Sequence, residues 1–356
     1  MKSSFAALAF SGWAWYDGKP KIILKLKERT PVKKPLPLLL SICLLLTACG
    51  QAAPEPESGR LKIVTTVFPA YDFARAAAGG LADVELLLPP GTESHSYEPT
   101  PADILAVQDC DLFIYLGGES DTWVETILSA IEPRGEQLRM IDCVPLLEEE
   151  LVEGMQAEIG HDHEHGHDDE EGHHDHGEGE VTGLDEHVWT DPANAAAITR
   201  IVGERLAAMD KTNGASYRAA AEGYAEQLDA LDREFEDFFA ADRGPMVFGD
   251  RFPLRYFAAA YGVEYYAAFP GCGTQTEPSA ATIAFLTEKV RQEQLPVVWY
   301  IEFSNHLVAD SIAEAAGTET AMFHSCHNVS RQDLEGGATY LSLMEKNLQT
   351  LQTYMG

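Results

Sequence analysis

Residues 215–242, ASYRAAAEGYAEQLDALDREFEDFFAAD, decide the fold. Tyr217, Tyr224, Leu228, Leu231, Phe235, Phe238 and Phe239 recur at helical spacing. At ~1.5 Å per residue such a helix would span about 40 Å, enough to run down the back of two halves. Four strand-like runs precede it: LKIVTTVFP from residue 61, VELLLPPG from 84, DLFIYLGG from 111 and LRMIDCV from 138. Four follow it: PMVFGD from 245, VEYYAAF from 263, PVVWYIE from 296 and TAMFH from 320. Helical segments separate the strands, so each half reads as α/β with a mostly parallel four-stranded sheet. The helix TPADILAVQDC opens with Thr100 as N-cap, Pro101 at N1 and Asp103 at N3, and Pro192 suits the first turn of a helix running to Met209. The predicted fold class is α/β, two (β/α) lobes joined by a long backbone helix. In such a design the natural site is the crevice at the carboxyl ends of the strands.

The 356 residues are too many for one ordinary core and suit two domains of roughly 130 residues each. The formal charge is −32. Eight of the 25 basic residues fall in the first 48 positions, beside only Asp17 and Glu28. Without that leader, 17 basic residues face 55 acidic ones, a net of −38. Such a body is repelled by nucleic acid and anionic headgroups and attracts cations. The leader itself has Lys25, Lys27, Arg29, Lys33 and Lys34 before PLPLLLSICLLLTACG. That is a basic region, then an apolar region too short for a span of ~20 residues, then small residues before a cysteine. LTAC, residues 46–49, resembles the lipobox of bacterial lipoproteins, which implies cleavage before Cys49 and lipidation of its sulfur.

Cys43 leaves with such a leader and Cys49 takes the lipid, so four cysteines remain. They divide evenly between the halves. Three pairings are open to them, and Cys110–Cys143 with Cys272–Cys326 is the expected one in an oxidising compartment. The expected organisation is a signal peptide at 1–48, with an over-extended start left open, and a linker at 49–60. A first lobe at 61–210, the connecting helix at 211–242 and a second lobe at 243–356 follow. Residues 148–180 break the first lobe with an acidic, then His-rich insertion that reads as solvated. Seven of the twelve histidines lie there: His161, His163, His165, His167, His173, His174 and His176.

The strand ends carry PPGTESHSYEPTPADI, DEHVWTDP, FGDRFPLRYF and FHSCHNVS, and each offers a metal ligand: His95, His187, Asp250 and His324. Imidazole and carboxylate together suit four-coordinate Zn²⁺. The first two segments resemble signature segments of the solute-binding lipoproteins of zinc and manganese ABC transporters, from about residue 61 to 355. The resemblance implies two cluster A-I-like lobes with little hinge motion and a metal between them. It also implies an extracytoplasmic, lipid-anchored monomer that delivers metal to a permease driven by an ATPase. His95 and His187 match the first two ligand histidines of that family. Counting back from RYF, its third ligand position falls on or near Arg251, which cannot bind a cation, and Asp250 is the nearest usable group. For the fourth, FHSCHN offers His324, with His327 as second choice. Three protein ligands plus water remains an alternative, as does a Cys326 thiolate.

The His-rich tract favours Zn²⁺ over Mn²⁺ and reads as an accessory collector beside the cleft, or else as an acidic spacer. No HExxH, Gly-x-Ser-x-Gly elbow or Walker loop is present, so an enzyme is not expected. Two other readings stay open: a manganese-binding transport component, and a metal-stabilised adhesin.

Overall fold

The computed structural model describes residues 59–92, 94, 97–155, 183–271 and 277–356, together with an antiparallel pairing of Trp15–Tyr16 with Lys19–Pro20. The leader with Cys49, His95, the seven-histidine tract and Cys272 lie outside the described residues. Two compact units divide the chain, Met1–Ser58 and Gly59–Gly356, and the following concerns the second.

Its first half alternates β1 (Lys62–Thr65), α1 (Phe68–Ala78), β2 (Asp83–Leu86), α2 (Pro101–Asp109), β3 (Leu112–Tyr115), α3 (Thr122–Ala130) and β4 (Glu136–Arg139). Then come α4 (Pro192–Met209) and the long α5 (Gly214–Phe239). The second half runs β5 (Met246–Phe252), α6 (Arg255–Tyr261), β6 (Tyr265–Pro270), α7 (Ala280–Gln292), β7 (Val297–Tyr300), α8 (Leu307–Ala316) and β8 (Glu319–Met322). It closes with the short α9 (Arg331–Glu335) and α10 (Tyr340–Met355). Both sheets are wholly parallel, in the orders β2-β1-β3-β4 and β6-β5-β7-β8. In each, the second strand lies on one side of the first and the third on the other. The switch point therefore falls at the carboxyl end of the first strand, where a crevice opens.

Local chemistry fixes the elements as the sequence predicts. The Thr100 hydroxyl accepts from Asp103 N–H at 3.3 Å, and the Asp103 carboxylate accepts from Thr100 N–H at 2.6 Å, closing a capping box on α2. Asp191 caps α4 by accepting from Ala193 N–H at 2.8 Å, ahead of Pro192. Along α5, Tyr217, Leu228, Leu231, Phe235 and Phe238 are buried, as the periodicity requires. Small residues let α4 lie close against it: a Cβ added at Gly203 would stand 2.4 Å from the Ala221 Cβ.

The lobes are tied together by a buried carboxylate. Asp72 on α1 accepts from Tyr224 Oη on α5 at 2.6 Å, from Tyr340 N–H on α10 at 2.9 Å, and from Arg75 at 3.0 Å. Burial pushes its carboxyl above the usual range, and the three donors pull back.

The expected Cys110–Cys143 disulfide is corrected by the structure, where both are free thiols. Cys110 precedes β3 and Cys143 follows β4, two adjacent parallel strands, so the thiols sit at opposite ends of the sheet. Strands of four residues hold such ends more than 10 Å apart, well beyond disulfide reach. The Cys110 thiol donates instead to Val107 O at 3.2 Å. Cys326 is also free and fully buried, against the expected pairing with Cys272.

Removing the Asp72 carboxylate leaves a buried hydroxyl and a buried N–H without their acceptor. Asp72→Ala should therefore destabilise the protein by about 3 kcal/mol, and Tyr224→Phe by about 1 kcal/mol. Urea denaturation checks both, and equal small losses would show that the carboxylate does not hold the helices.

Candidate functional site

A cavity of about 330 Å³ opens between the carboxyl ends of the two sheets. The first half contributes Thr92, Ser94 and His187 to its wall, and the second contributes Asp250, Arg251, Glu302, His327 and Asn328 among others.

His187 precedes a single 3₁₀ turn, Val188–Thr190, and is 1% exposed. Its Nδ1 lies 3.1 Å from Asp185 Oδ1, which also accepts the His187 backbone N–H at 2.8 Å. A lone pair on Nδ1 would face the carboxylate, so the proton belongs on Nδ1 and Nε2 is left as a donor atom toward the cleft. Burial alone would lower the pKa of this imidazole. The nearby Asp185, Glu186 and Glu149 outweigh it, and the net direction is upward. Tyr256 Oη donates to the Asp185 backbone carbonyl at 2.9 Å, so a second-half helix steadies the first-half backbone that carries this carboxylate. Gly271 admits the ring, because a Cβ there would lie 3.2 Å from His187 Cε1.

His327 comes from the loop after β8. Its ring centroid is 5.9 Å from that of His187, and its Nε2 hydrogen-bonds Ser94 Oγ at 3.1 Å. The loop is held from three directions. Trp189 Nε1 donates to Ser325 O at 2.8 Å. Asn328 Nδ2 donates to Pro89 O at 3.0 Å and Thr92 O at 2.9 Å. Glu302, buried at the end of β7, accepts from both Ser325 N–H and Ser325 Oγ at 2.6 Å, and Ser325 Oγ in turn accepts from His327 N–H at 3.3 Å.

The preference for His324 over His327 does not survive this geometry. His324 is absent from the cavity wall. Its Nδ1 accepts from Cys326 N–H at 2.9 Å, and its backbone pairs in both directions with the Asn347 amide. The reversal between the two histidines occurs at Cys326, whose φ of 63° is left-handed. Cys326 itself is wholly buried, and burial pushes its thiol up, away from thiolate chemistry.

Asp250 lines the cavity, but both of its oxygens accept hydrogen bonds, from Arg251 N–H at 2.8 Å and Ile301 N–H at 3.2 Å. It ties the ends of β5 and β7 together. Among the described residues, no group of three or more His, Cys, Asp or Glu side chains stands close enough to hold a metal. His187 and His327 are the pair that converges from the two halves, and His95 lies outside the described residues. Tyr97 Oη donates to Asp103, a local turn contact. Sequence reasoning missed Asp185, Glu302 and Gly271. Asp two residues before His187, and Glu closing an apolar strand, were the available signals.

Another buried carboxylate, Asp121, lies close enough to Glu186 to feel its charge. Asp121 Oδ2 accepts from Thr66 Oγ1 and from the N–H groups of Leu116 and Gly117, while Oδ1 has no partner. Burial pushes Asp121 up to about 6, the Leu116 and Gly117 N–H groups oppose this, and Glu186 adds to it.

A family model described as zinc-uptake complex component A, periplasmic, matches residues 63–354. The zinc-binding lipoprotein AdcA of Streptococcus pneumoniae is 32% identical over 322 residues, which are 90% of this chain and 61% of that protein. The chain thus spans about three fifths of the length of that relative. The high-affinity zinc uptake system protein ZnuA of Bacillus subtilis is 29% identical over 314 residues, 87% of this chain and 93% of that one. Among solved structures, the Zn(II)-bound ZnuA-like domain of Streptococcus pneumoniae AdcA superposes with a TM-score of 0.65 at 27% identity, covering 83% of this chain and 99% of that domain.

Because the folded-state value of Asp121 exceeds the ordinary aspartate value of about 3.9, its protonated form favours folding. That contribution is complete below pH 4 or so and vanishes as pH rises through about 6. Asp121→Asn should flatten this slope and raise stability at pH 7.5 by about 2 kcal/mol. Urea melts at pH 5, 6 and 7.5 check it, and an unchanged slope would place the titration elsewhere.

Proposed function

Since the chain belongs to the zinc-uptake complex component A family, we propose that it captures Zn²⁺ in the cleft between its lobes and delivers it to an ABC permease. The observation that carries the reading is the convergence of His187 and His327 from opposite lobes onto one cavity, with Asp185 holding the first imidazole so that Nε2 faces inward. His95 completes the protein donors in this reading, His327 replaces His324, and Asp250 serves as a strap between strand ends. The donors are nitrogen, which favours Zn²⁺ over Mn²⁺. Capture is differential in a simple sense. An imidazole held by a buried carboxylate, as His187 is by Asp185, loses little orientational freedom on binding, so affinity is not spent on ordering it.

The wider setting belongs to the same proposal. Cleavage before Cys49 and lipidation there would anchor the body outside the cytoplasmic membrane, with residues 50–60 as a tether. No helix among the described residues is long and apolar enough to cross a membrane. The lobes at 61–210 and 243–356, with the connecting helix between them, act as one clamp, and a monomer suffices for it. The seven histidines from His161 to His176 serve as a weaker collector, because a chain that must order itself to chelate loses more entropy than a built site.

Competitive zinc titration tests the assignment. His187→Ala and His327→Ala should each weaken the tight equivalent at least 100-fold, and His324→Ala should weaken it far less. Deleting residues 160–179 should remove only weaker equivalents. Loss of the tight equivalent on deletion would move the site from the cleft to the tract. Gly271→Ala offers a finer probe. Its Cβ would press on the His187 ring, so zinc should bind about tenfold more weakly while the thermal melting point moves by only a few degrees.

A further inference from the structure

Phe303 is a costly residue for the place it holds. It stands in the loop after β7 with a φ of 60°, in the left-handed region that bulky side chains avoid. His306, three residues on, has a φ of 47°. Phe303 is also 54% exposed, so burial does not offset the strain. Four large apolar side chains stand exposed among the described residues: Leu105, Leu184, Phe303 and Leu307. Of these, Phe303 is the one that lines the cavity. A ring that both lines a cavity and meets solvent stands at its mouth.

That ring reaches the opposite lobe. A Cβ built on Gly91 would lie 3.9 Å from Phe303 Cε1, an ordinary contact distance. Gly91 follows β2 in the first half, in a turn where Thr92 N–H donates to Pro89 O at 3.1 Å. Asn328 holds this turn by donating to both Pro89 O and Thr92 O. The loop that carries the ring is held as firmly. Ahead of it, Ile301 N–H donates to Asp250 at 3.2 Å. Behind it, His306 N–H donates to Ser304 Oγ at 3.1 Å, and His306 Nδ1 lies 2.8 Å from Asp310 Oδ2. Both margins are therefore pinned, and what remains to move between them is an exposed side chain turning about its own torsions.

We infer that Phe303 is a gate on the metal's path. Its ring spans the mouth between the β7 loop and the Gly91 turn, and it turns aside each time a zinc ion enters or leaves. A ring in the path raises the barrier equally in both directions and leaves the depth of the site unchanged. This rests on the zinc reading above and assigns what sets its rates. Phe303 touches no metal in this role: it sets how fast zinc exchanges, while the imidazoles set how tightly it is held.

Stopped-flow mixing reads the two rates separately, with uptake measured against a competing fluorescent chelator and release measured into excess chelator. Phe303→Ala should speed both at least fivefold and leave Kd within threefold of wild type. Phe303→Trp, which enlarges the ring, should slow both. Phe303→Gly relieves the left-handed backbone, so it should melt no lower than wild type while matching the Phe303→Ala rates. Leu307→Ala removes a nearby exposed side chain that does not line the cavity, and both of its rates should match wild type. A second readout needs no metal: carbethoxylation of His327 by diethyl pyrocarbonate, located by peptide mapping, should quicken in Phe303→Ala. Unchanged rates overturn the gate, as does equal speeding in Leu307→Ala. Faster release with unchanged uptake also overturns it, because the ring would then be a contact of the bound state. If wild-type protein binds no zinc in the cleft while Phe303→Ala still exposes His327 to the reagent, the zinc reading falls and the gate to the cavity stands.

Discussion

The site exists because Asp72 holds three helices at one point. Helix α1 belongs to the first lobe, α10 to the second, and α5 runs behind both; each places a group on that buried carboxylate. Around it the stitching continues. Tyr340 Oη donates to Trp189 O at 2.6 Å, and Trp189 Nε1 donates to Ser325 O. His187 stands two residues before Trp189, and His327 two after Ser325. The chain of contacts that joins the lobes is thus nearly the chain of contacts that positions the two imidazoles. Loosen one and the separation between the rings is no longer defined.

Within that frame the carboxylates divide their work. Asp185 orients a ring, Glu302 orients a loop, and Asp250 joins two strand ends. None of the three faces the cavity with an uncommitted pair of oxygens. This explains how so acidic a protein can present a cleft whose donors are nitrogen. Asp72, Asp185 and Glu302 are each engaged by N–H or O–H donors and serve the frame.

Much of this was legible in the sequence. The apolar period of residues 215–242 gave α5 nearly to its ends and the apolar runs gave seven of the strands, because periodicity reports burial and burial sets the element. Of the run from 138, only Leu138 and Arg139 lie in β4, and Met140–Cys143 forms a 3₁₀ turn. The Thr100–Asp103 box was legible because capping is local. What failed was non-local or conformational. Cys110 and Cys143 flank strands already expected to be parallel, but one precedes its strand and the other follows the neighbouring strand, which sends them to opposite ends of the sheet. Two histidines three residues apart look interchangeable until a left-handed residue between them turns one inward and the other into the backbone network. Neither which strands lie side by side nor a positive φ at a non-glycine residue is written in composition. The functions of Asp185 and Glu302 were hidden for a related reason: an acidic residue looks the same in sequence whether it binds cargo or steadies a neighbour.

The stitched interface has a consequence for how the molecule communicates. Swinging the lobes apart would break the Trp189–Ser325, Tyr340–Trp189, Asn328–Pro89 and Tyr256–Asp185 bonds together, each worth about 1 kcal/mol net and more when its partners are left buried. A force on one lobe is therefore carried to the other through these shared bonds, and the two halves separate only if several buried groups lose their partners at once.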